Sequence, residues 1–151
     1  MIHVRRTLHL LGARGEVRRL DDSARTAQEA AAALGIEVGQ IASSLIFLAD
    51  DKPVLVIASG KHRVNTTTVA AILAVADVTK ATADDVRQAT GFAIGGVAPV
   101  GHPEPLPTII DIALSHYDEV WAAGGHPHYV FPTSYDELLR ITAGEAAEIS
   151  V

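Results

Sequence analysis

The stretch IASSLIFLADDKPVLVIASG, residues 41–60, carries two apolar runs rich in β-branched residues on either side of the turn sequence DDKP. Asp, Lys and Pro at a reversal, between runs that are apolar at consecutive positions, predict a β-hairpin whose strands are largely buried. Such a pair belongs at the centre of a sheet, and the remaining segments are read as its neighbours and covers.

Before the hairpin, VRRTLHLL spaces Val4, Leu8 and Leu11 along one helical face and stops at Gly12, and GEVRRL reads as a short strand. DDSARTAQEAAAALG predicts a helix capped by Asp22 or Ser23 and ended by Gly35. After the hairpin, NTTTVAAILA offers Asn65 or Thr66 as a cap for a face of Val69, Ile72 and Leu73. TADDVRQATG repeats that grammar, with Thr82 and Asp85 at capping-box spacing and Gly91 as terminator. TIIDIAL, EVWAAGG and HYVFP read as short strands, TSYDELLRITAG as a helix capped by Thr133 or Ser134, and AEISV as a last strand or a frayed tail. Helices and strands mix without regular βαβ alternation, so the expected class is α+β, with a mixed, curved sheet and flanking helices. At 151 residues, with no repeat or linker, a single domain over residues 1–151 is expected.

Composition narrows the function. With no cysteine, disulfides, thiolate metal sites and a cysteine nucleophile are excluded together. No apolar run approaches a membrane span and no secretory leader is visible, so a soluble, cytoplasmic protein without a membrane partner is expected. Twelve Lys and Arg against eighteen Asp and Glu give a net charge of −6, which argues against broad adhesion to nucleic acid and leaves room only for a local basic patch.

Familiar catalytic motifs are missing. SGK at Ser59–Lys61 resembles the tail of a phosphate loop, but its leading glycine is absent and His62 stands where a magnesium-binding hydroxyl belongs, so it reads as a turn. No nucleophile elbow, HExxH helix or dinucleotide glycine pattern is present. His102, His126 and His128 can be drawn as a metal site, but without a supporting carboxylate spacing they read as loop or pocket residues, and no metal or cofactor is expected. The segment GFAIGGVAPVGHPEP, residues 91–105, is different in kind, with four glycines and three prolines in fifteen residues. Consecutive glycines let main-chain N–H groups crowd around a ligand oxygen and Pro99 stiffens the exit; the competing reading is a structural turn.

Taken in order, LGIEVGQIASSLIF, KPVLVIASGKHRVN, TGFAIGGVAPVGH, IIDIAL and VWAAGGHPHYVF resemble the YbaK and prolyl-tRNA synthetase-associated domain family of aminoacyl-tRNA deacylases, over about Ala27 to Leu139. The resemblance implies a pseudo-barrel fold and a trans-editing role, hydrolysis of the ester joining a wrong, small amino acid to tRNA, with an aminoacyl-tRNA synthetase as a further partner. It implies that the Gly-x-x-x-Pro loop Gly95–Pro99, with Gly95, Gly96 and Pro99, lines the reaction site, and that Val97, Ala98, Gly125 and His126 shape the amino-acid pocket. Attack on the carbonyl would lean on the tRNA's terminal hydroxyl and a water, in keeping with the missing nucleophile. The family's lysine on the first hairpin strand falls on Ser43, a departure: either the substrate differs or another group takes over, with Lys61 and His62 as candidates. A binding module that has lost its chemistry, or an esterase for small free aminoacyl compounds, are the alternatives.

Overall fold

In the computed structural model, which describes residues 2–22 and 24–150, the chain forms five helices and eight strands. In chain order they are α1 (Ile2–Leu10), β1 (Arg18–Arg19), α2 (Ala27–Leu34), β2 (Ile41–Ala49), β3 (Lys52–Ser59), α3 (Thr66–Leu73), β4 (Val78–Lys80), α4 (Ala83–Thr90), β5 (Thr108–Asp111), β6 (Val120–Ala123), β7 (Tyr129–Thr133), α5 (Tyr135–Thr142) and β8 (Glu145–Ala147).

The hairpin is present as expected, antiparallel from Ala42↔Ser59 to Ala49↔Lys52. Its turn places Asp50 and Asp51 at φ 47° and 70°, the left-handed region that short Asp side chains tolerate and that a tight hairpin needs. The Asp50 carboxylate accepts the N–H groups of Ala76 and Asp77, fastening the turn to the approach of β4.

One mixed sheet of order β1-β7-β6-β2-β3-β5-β8, with β4 also on β2, results. β2·β6, β3·β5 and β5·β8 are parallel, and the other pairs are antiparallel. β3 lies between β2 and β5, and its Val54–Ala58 run is wholly buried. Leu55 and Ile57 face a core with Val4 and Leu8 of α1, Val86 of α4 and Leu138 of α5. Val54, Val56 and Ala58 face the opposite core with Val69 of α3 and Ile149. Each fully buried aliphatic side chain contributes about 1.5–3 kcal/mol, so these two faces are the main source of stability.

Several expectations are corrected. The cap of α2 is Thr26, in a reciprocal box with Glu29, rather than Asp22; Ser23 lies outside the described residues. The run TIIDIAL is a strand only to Asp111, whose carboxylate takes the Ala113 N–H and turns the chain into a 3-10 segment, Ile112–His116. Val78–Lys80, unassigned from sequence, pairs with the end of β2. Toward the C-terminus, β8 precedes AEISV's buried Ile149, and Ser150 bridges to Val64, so this segment is packed; Val151 lies outside the described residues. α3, α4 and α5 begin at Asn65, Thr82 and Ser134 as the cap signals indicate.

Candidate functional site

β2 has an interrupted outer edge. It pairs β6 only at Ile41 and Ala42 and β4 only from Phe47 to Ala49. Gly60 N–H bonds Ile41 O, and Leu55, opposite Ile46, directs its own N–H away to Pro107 O. Main-chain groups alternate along a strand, so Ser43, Leu45 and Phe47 bond to β3, whereas Ala42, Ser44 and Ile46 face outward. Ala42 meets β6 and Ile46 O accepts Ala81 N–H at 3.4 Å. Ser44 directs both its N–H and its C=O into the gap, where no strand pairs with it among the described residues. Its Oγ is also buried without a hydrogen-bond partner among the described residues.

A cavity of about 800 Å³ wraps this free edge. Its wall includes Ser43, Ser44 and Leu45 of β2, Ala27 and Ala30 of α2, Val86 of α4, and Gly95 and Val97 of the glycine loop. Ala42, Ile46, Val86 and Val97 belong to one buried cluster, which sets the Ser44 side chain on the face of β2 toward that loop. Arg25, Arg63 and Lys80 also line the cavity, all exposed, and no Asp or Glu is among its lining residues. None of these three cations has a carboxylate within 4.0 Å among the described residues. An acidic chain therefore carries a locally cationic cleft with an apolar floor.

The glycine loop meets the cavity through main chain. Gly95, at φ 91°, passes over Arg25, where a Cβ would lie 3.1 Å from Arg25 Cβ. Gly96 N–H bonds Ala93 O at 3.0 Å and is spent within the loop. The N–H groups of Gly95 and Val97 have no hydrogen-bond partner among the described residues. Val97 is 5% exposed and on the cavity wall, so of these two N–H groups its own belongs to the more buried residue.

The other nominated residues divide. Ala98 is 0% exposed and Pro99 is buried, so both form the inner support of the loop. His102 Nε2 donates to Ala98 O at 2.8 Å, closing the loop on itself; burial depresses the His102 pKa, against the smaller upward pull of that hydrogen bond. Gly125 packs against Val4 and Phe92, and exposed His126 stacks on His128 with ring centroids 5.4 Å apart. Gly96 touches the His126 main chain, so the glycine loop and the glycine–histidine turn are brought together although the turn is not on the cavity wall. Lys61 is drawn away, its Nζ 5.5 Å from the centre of the Tyr117 ring, whereas His62 reaches the cavity and bonds buried Asp111. Among the described residues no group of three His, Asp or Glu side chains could hold a metal ion. No described helix is long and apolar enough to cross a membrane.

Sequence reasoning missed Arg25, Arg63 and Lys80, which are scattered in the chain and converge only through the fold. It also missed Ser44 and Asp111; a carboxylate inside the apolar run TIIDIAL was the available signal for the latter.

The cavity thus combines a cationic rim, main-chain N–H groups without an acceptor among the described residues, and an apolar floor. The chain belongs to the family of the aminoacyl-tRNA editing domain, whose model matches residues 21–141. A proline–tRNA ligase of Streptococcus thermophilus is 29% identical over 140 residues, 86% of this chain and 23% of that protein. One from Limosilactobacillus fermentum is 36% identical over 93 residues, 58% of this chain and 16% of that protein. The chain thus spans about a quarter or less of the length of these relatives. A crystal structure of a proposed trans-editing enzyme for prolyl tRNA synthetase superposes with TM-score 0.93 at 42% identity, covering 99% of this chain and 96% of the other. A scaffold protein used for computational epitope grafting superposes with TM-score 0.92 at 38% identity, over 99% and 96%. The α+β mixed-sheet fold read from sequence is the fold of these structures.

Proposed function

We propose that this domain hydrolyses the ester of tRNA mischarged with a small amino acid, the tRNA being that of the synthetase its relatives represent, prolyl-tRNA synthetase. The observation that carries the reading is the joint placement of a cationic rim and unpaired main-chain donors around one cavity. Arg25, Arg63 and Lys80 suit the phosphates of the tRNA 3′ end, answering the objection raised by a net charge of −6. The Gly95 and Val97 N–H groups suit the ester carbonyl and the oxyanion formed on it, and donors of this kind are each worth about 2.7–4 kcal/mol in comparable sites. The outward N–H, C=O and Oγ of Ser44 suit the amino group and a small side chain.

Attack comes from a water, assisted by the neighbouring ribose hydroxyl; the water oxygen bonds to the acyl carbon as the esterified ribose oxygen leaves. Ala98, Pro99 and His102 keep the loop in shape, and Gly125 and His126 brace it through Gly96. Selectivity is steric and modest per methylene, about 1–3 kcal/mol, which is what a second sieve after a synthetase has to provide. A module that binds without turnover is the competing reading, favoured by Ser43 where the family resemblance places a lysine.

The test is release of amino acid from alanyl-, seryl-, threonyl- and cysteinyl-tRNA(Pro), against prolyl-tRNA(Pro) and the free amino-acid esters. Turnover of one or more mischarged tRNAs with sparing of prolyl-tRNA is expected. Binding without release supports the silent module, and equal hydrolysis of free esters supports a general esterase.

A further inference from the structure

Asp111 is 1% exposed, and three donors converge on its carboxylate: Ala113 N–H on Oδ1 at 2.9 Å, and Ser59 N–H at 3.0 Å and His62 Nδ1 at 2.8 Å on Oδ2. Both main-chain donors are fixed by structure at the ends of β5 and β3, so the carboxylate cannot swing to accommodate the ring. A carboxylate oxygen that also takes a main-chain N–H accepts from the ring, so Nδ1 carries the proton directed at Asp111, and in the neutral form of the ring Nε2 is the bare acceptor. Nε2 has no partner among the described residues, the side chain is 26% exposed, and His62 lies on the wall of the cavity. The turn itself is held without the ring: His62 N–H bonds Ser59 O and Gly60 N–H bonds Ile41 O.

We infer that His62, oriented by Asp111, is the proton acceptor in this cavity and takes the place of the lysine that the resemblance puts at Ser43; this rests on the deacylase reading above. His62 Nε2 takes a proton from water as the water oxygen bonds to the ester carbon. The tetrahedral adduct then collapses, the bond from the acyl carbon to the ribose oxygen breaks, and that oxygen leaves with the proton from Nε2. Water is the only co-reactant, and the products are the free amino acid and the tRNA hydroxyl. Asp111 is a positioning residue, since it acts through the ring. The charged groups nearest this chemistry are Asp111 in direct contact, Arg63 on the same turn, and Arg25 and Lys80 on the cavity wall; Lys61 is engaged over Tyr117.

The test combines kinetics with a readout that needs no substrate. Single-turnover deacylation is followed against pH for wild type, His62→Gln and His62→Ala, with and without added imidazole, and ring ¹⁵N shifts of His62 are recorded in the free protein. The expected results are a rate that falls on the acid side as the Nε2 acceptor is lost, and a His62→Gln rate down about 10²-fold or more without that limb. Imidazole should partly restore His62→Ala, and the ¹⁵N shifts should report an Nδ1–H tautomer. Asp111→Asn should slow the rate and disturb the tautomer; should that buried change unfold the protein, the His62 variants on the cavity wall still decide. An active wild type with unchanged His62 variants, or an Nε2–H tautomer, overturns this assignment and leaves the deacylase reading standing. A wild type inactive on every mischarged tRNA overturns the deacylase reading itself and this assignment with it.

Discussion

Gly96 lies directly against the main chain of His126: a Cβ at Gly96 would stand 2.8 Å from His126 Cα and 3.0 Å from its carbonyl carbon. The contact is backbone to backbone, so neither side can yield by turning a side chain. It is the joint through which the turn at Gly125 and His126 sets the height of the glycine loop over the cavity. Gly96→Ala is therefore expected to lower stability by about 1–3 kcal/mol and to slow deacylation, since the free N–H groups on either side of Gly96 move with it. Thermal unfolding and single-turnover rates check this; wild-type values for both would remove the joint from the account.

Ser44 presents the opposite case, a buried hydroxyl with no hydrogen-bond partner among the described residues. Leaving such a group unsatisfied costs about 1–3 kcal/mol, so Ser44→Ala is expected to leave the folded protein as stable as wild type or more so, while weakening turnover. A destabilised variant with full activity would show that the hydroxyl serves the fold. Tm and kcat/KM measured on one preparation give the answer.

Arg25, Arg63 and Lys80 meet phosphate in this account, so each change to alanine should weaken tRNA binding and reduce the slope of log K against log salt by about 0.7–0.9. Hydrolysis of a small aminoacyl ester, which carries no phosphate, should change far less. Filter binding across a salt series measures the first and a chromogenic ester the second; an unaltered slope in all three variants would place the tRNA elsewhere.

How far these features can be read from sequence depends on their range. Caps, terminators and the DDKP reversal are local, and Asn65, Thr82, Gly35 and Gly91 do what their residue types dictate. The cap of α2 was misplaced because Asp22, Ser23 and Thr26 are all capable, and only Thr26 has Glu29 three residues on to close the box. The short strand Val78–Lys80 carries two exposed residues and owes its existence to pairing with the end of β2, which no local pattern encodes. At the site, the glycine loop was conspicuous because proline and glycine restrict or free the main chain wherever they stand. The gap beside Ser44 and the convergence of three distant cations arise from sheet order, which is non-local. Neither Lys61 nor His62 could be preferred until the fold set one over Tyr117 and the other against Asp111.

His102 gives a pH signature. Its pKa in the folded protein lies below the ordinary value of about 6.5, chiefly through burial, so the unfolded chain binds the proton more readily. The sign follows: this contribution is fully present above about pH 6.5 and is lost as pH falls from there toward the lower folded value. His102→Gln should flatten that part of the stability curve. Urea titrations between pH 5 and pH 8, within the window set by imidazole chemistry, compare the two proteins, and identical curves would mean that burial of this ring carries no proton linkage.

The central claim, that unpaired main-chain donors grip an acyl group in this cavity, is tested most directly by amide NMR. The ligand is an adenosine bearing a small amino acid through a non-hydrolysable 3′-amide. On saturation, the amide resonances of Gly95, Val97 and Ser44 should shift together, while that of Gly96, already bonded to Ala93, should move least of the loop. Saturable binding that leaves Gly95, Val97 and Ser44 unmoved would contradict the account.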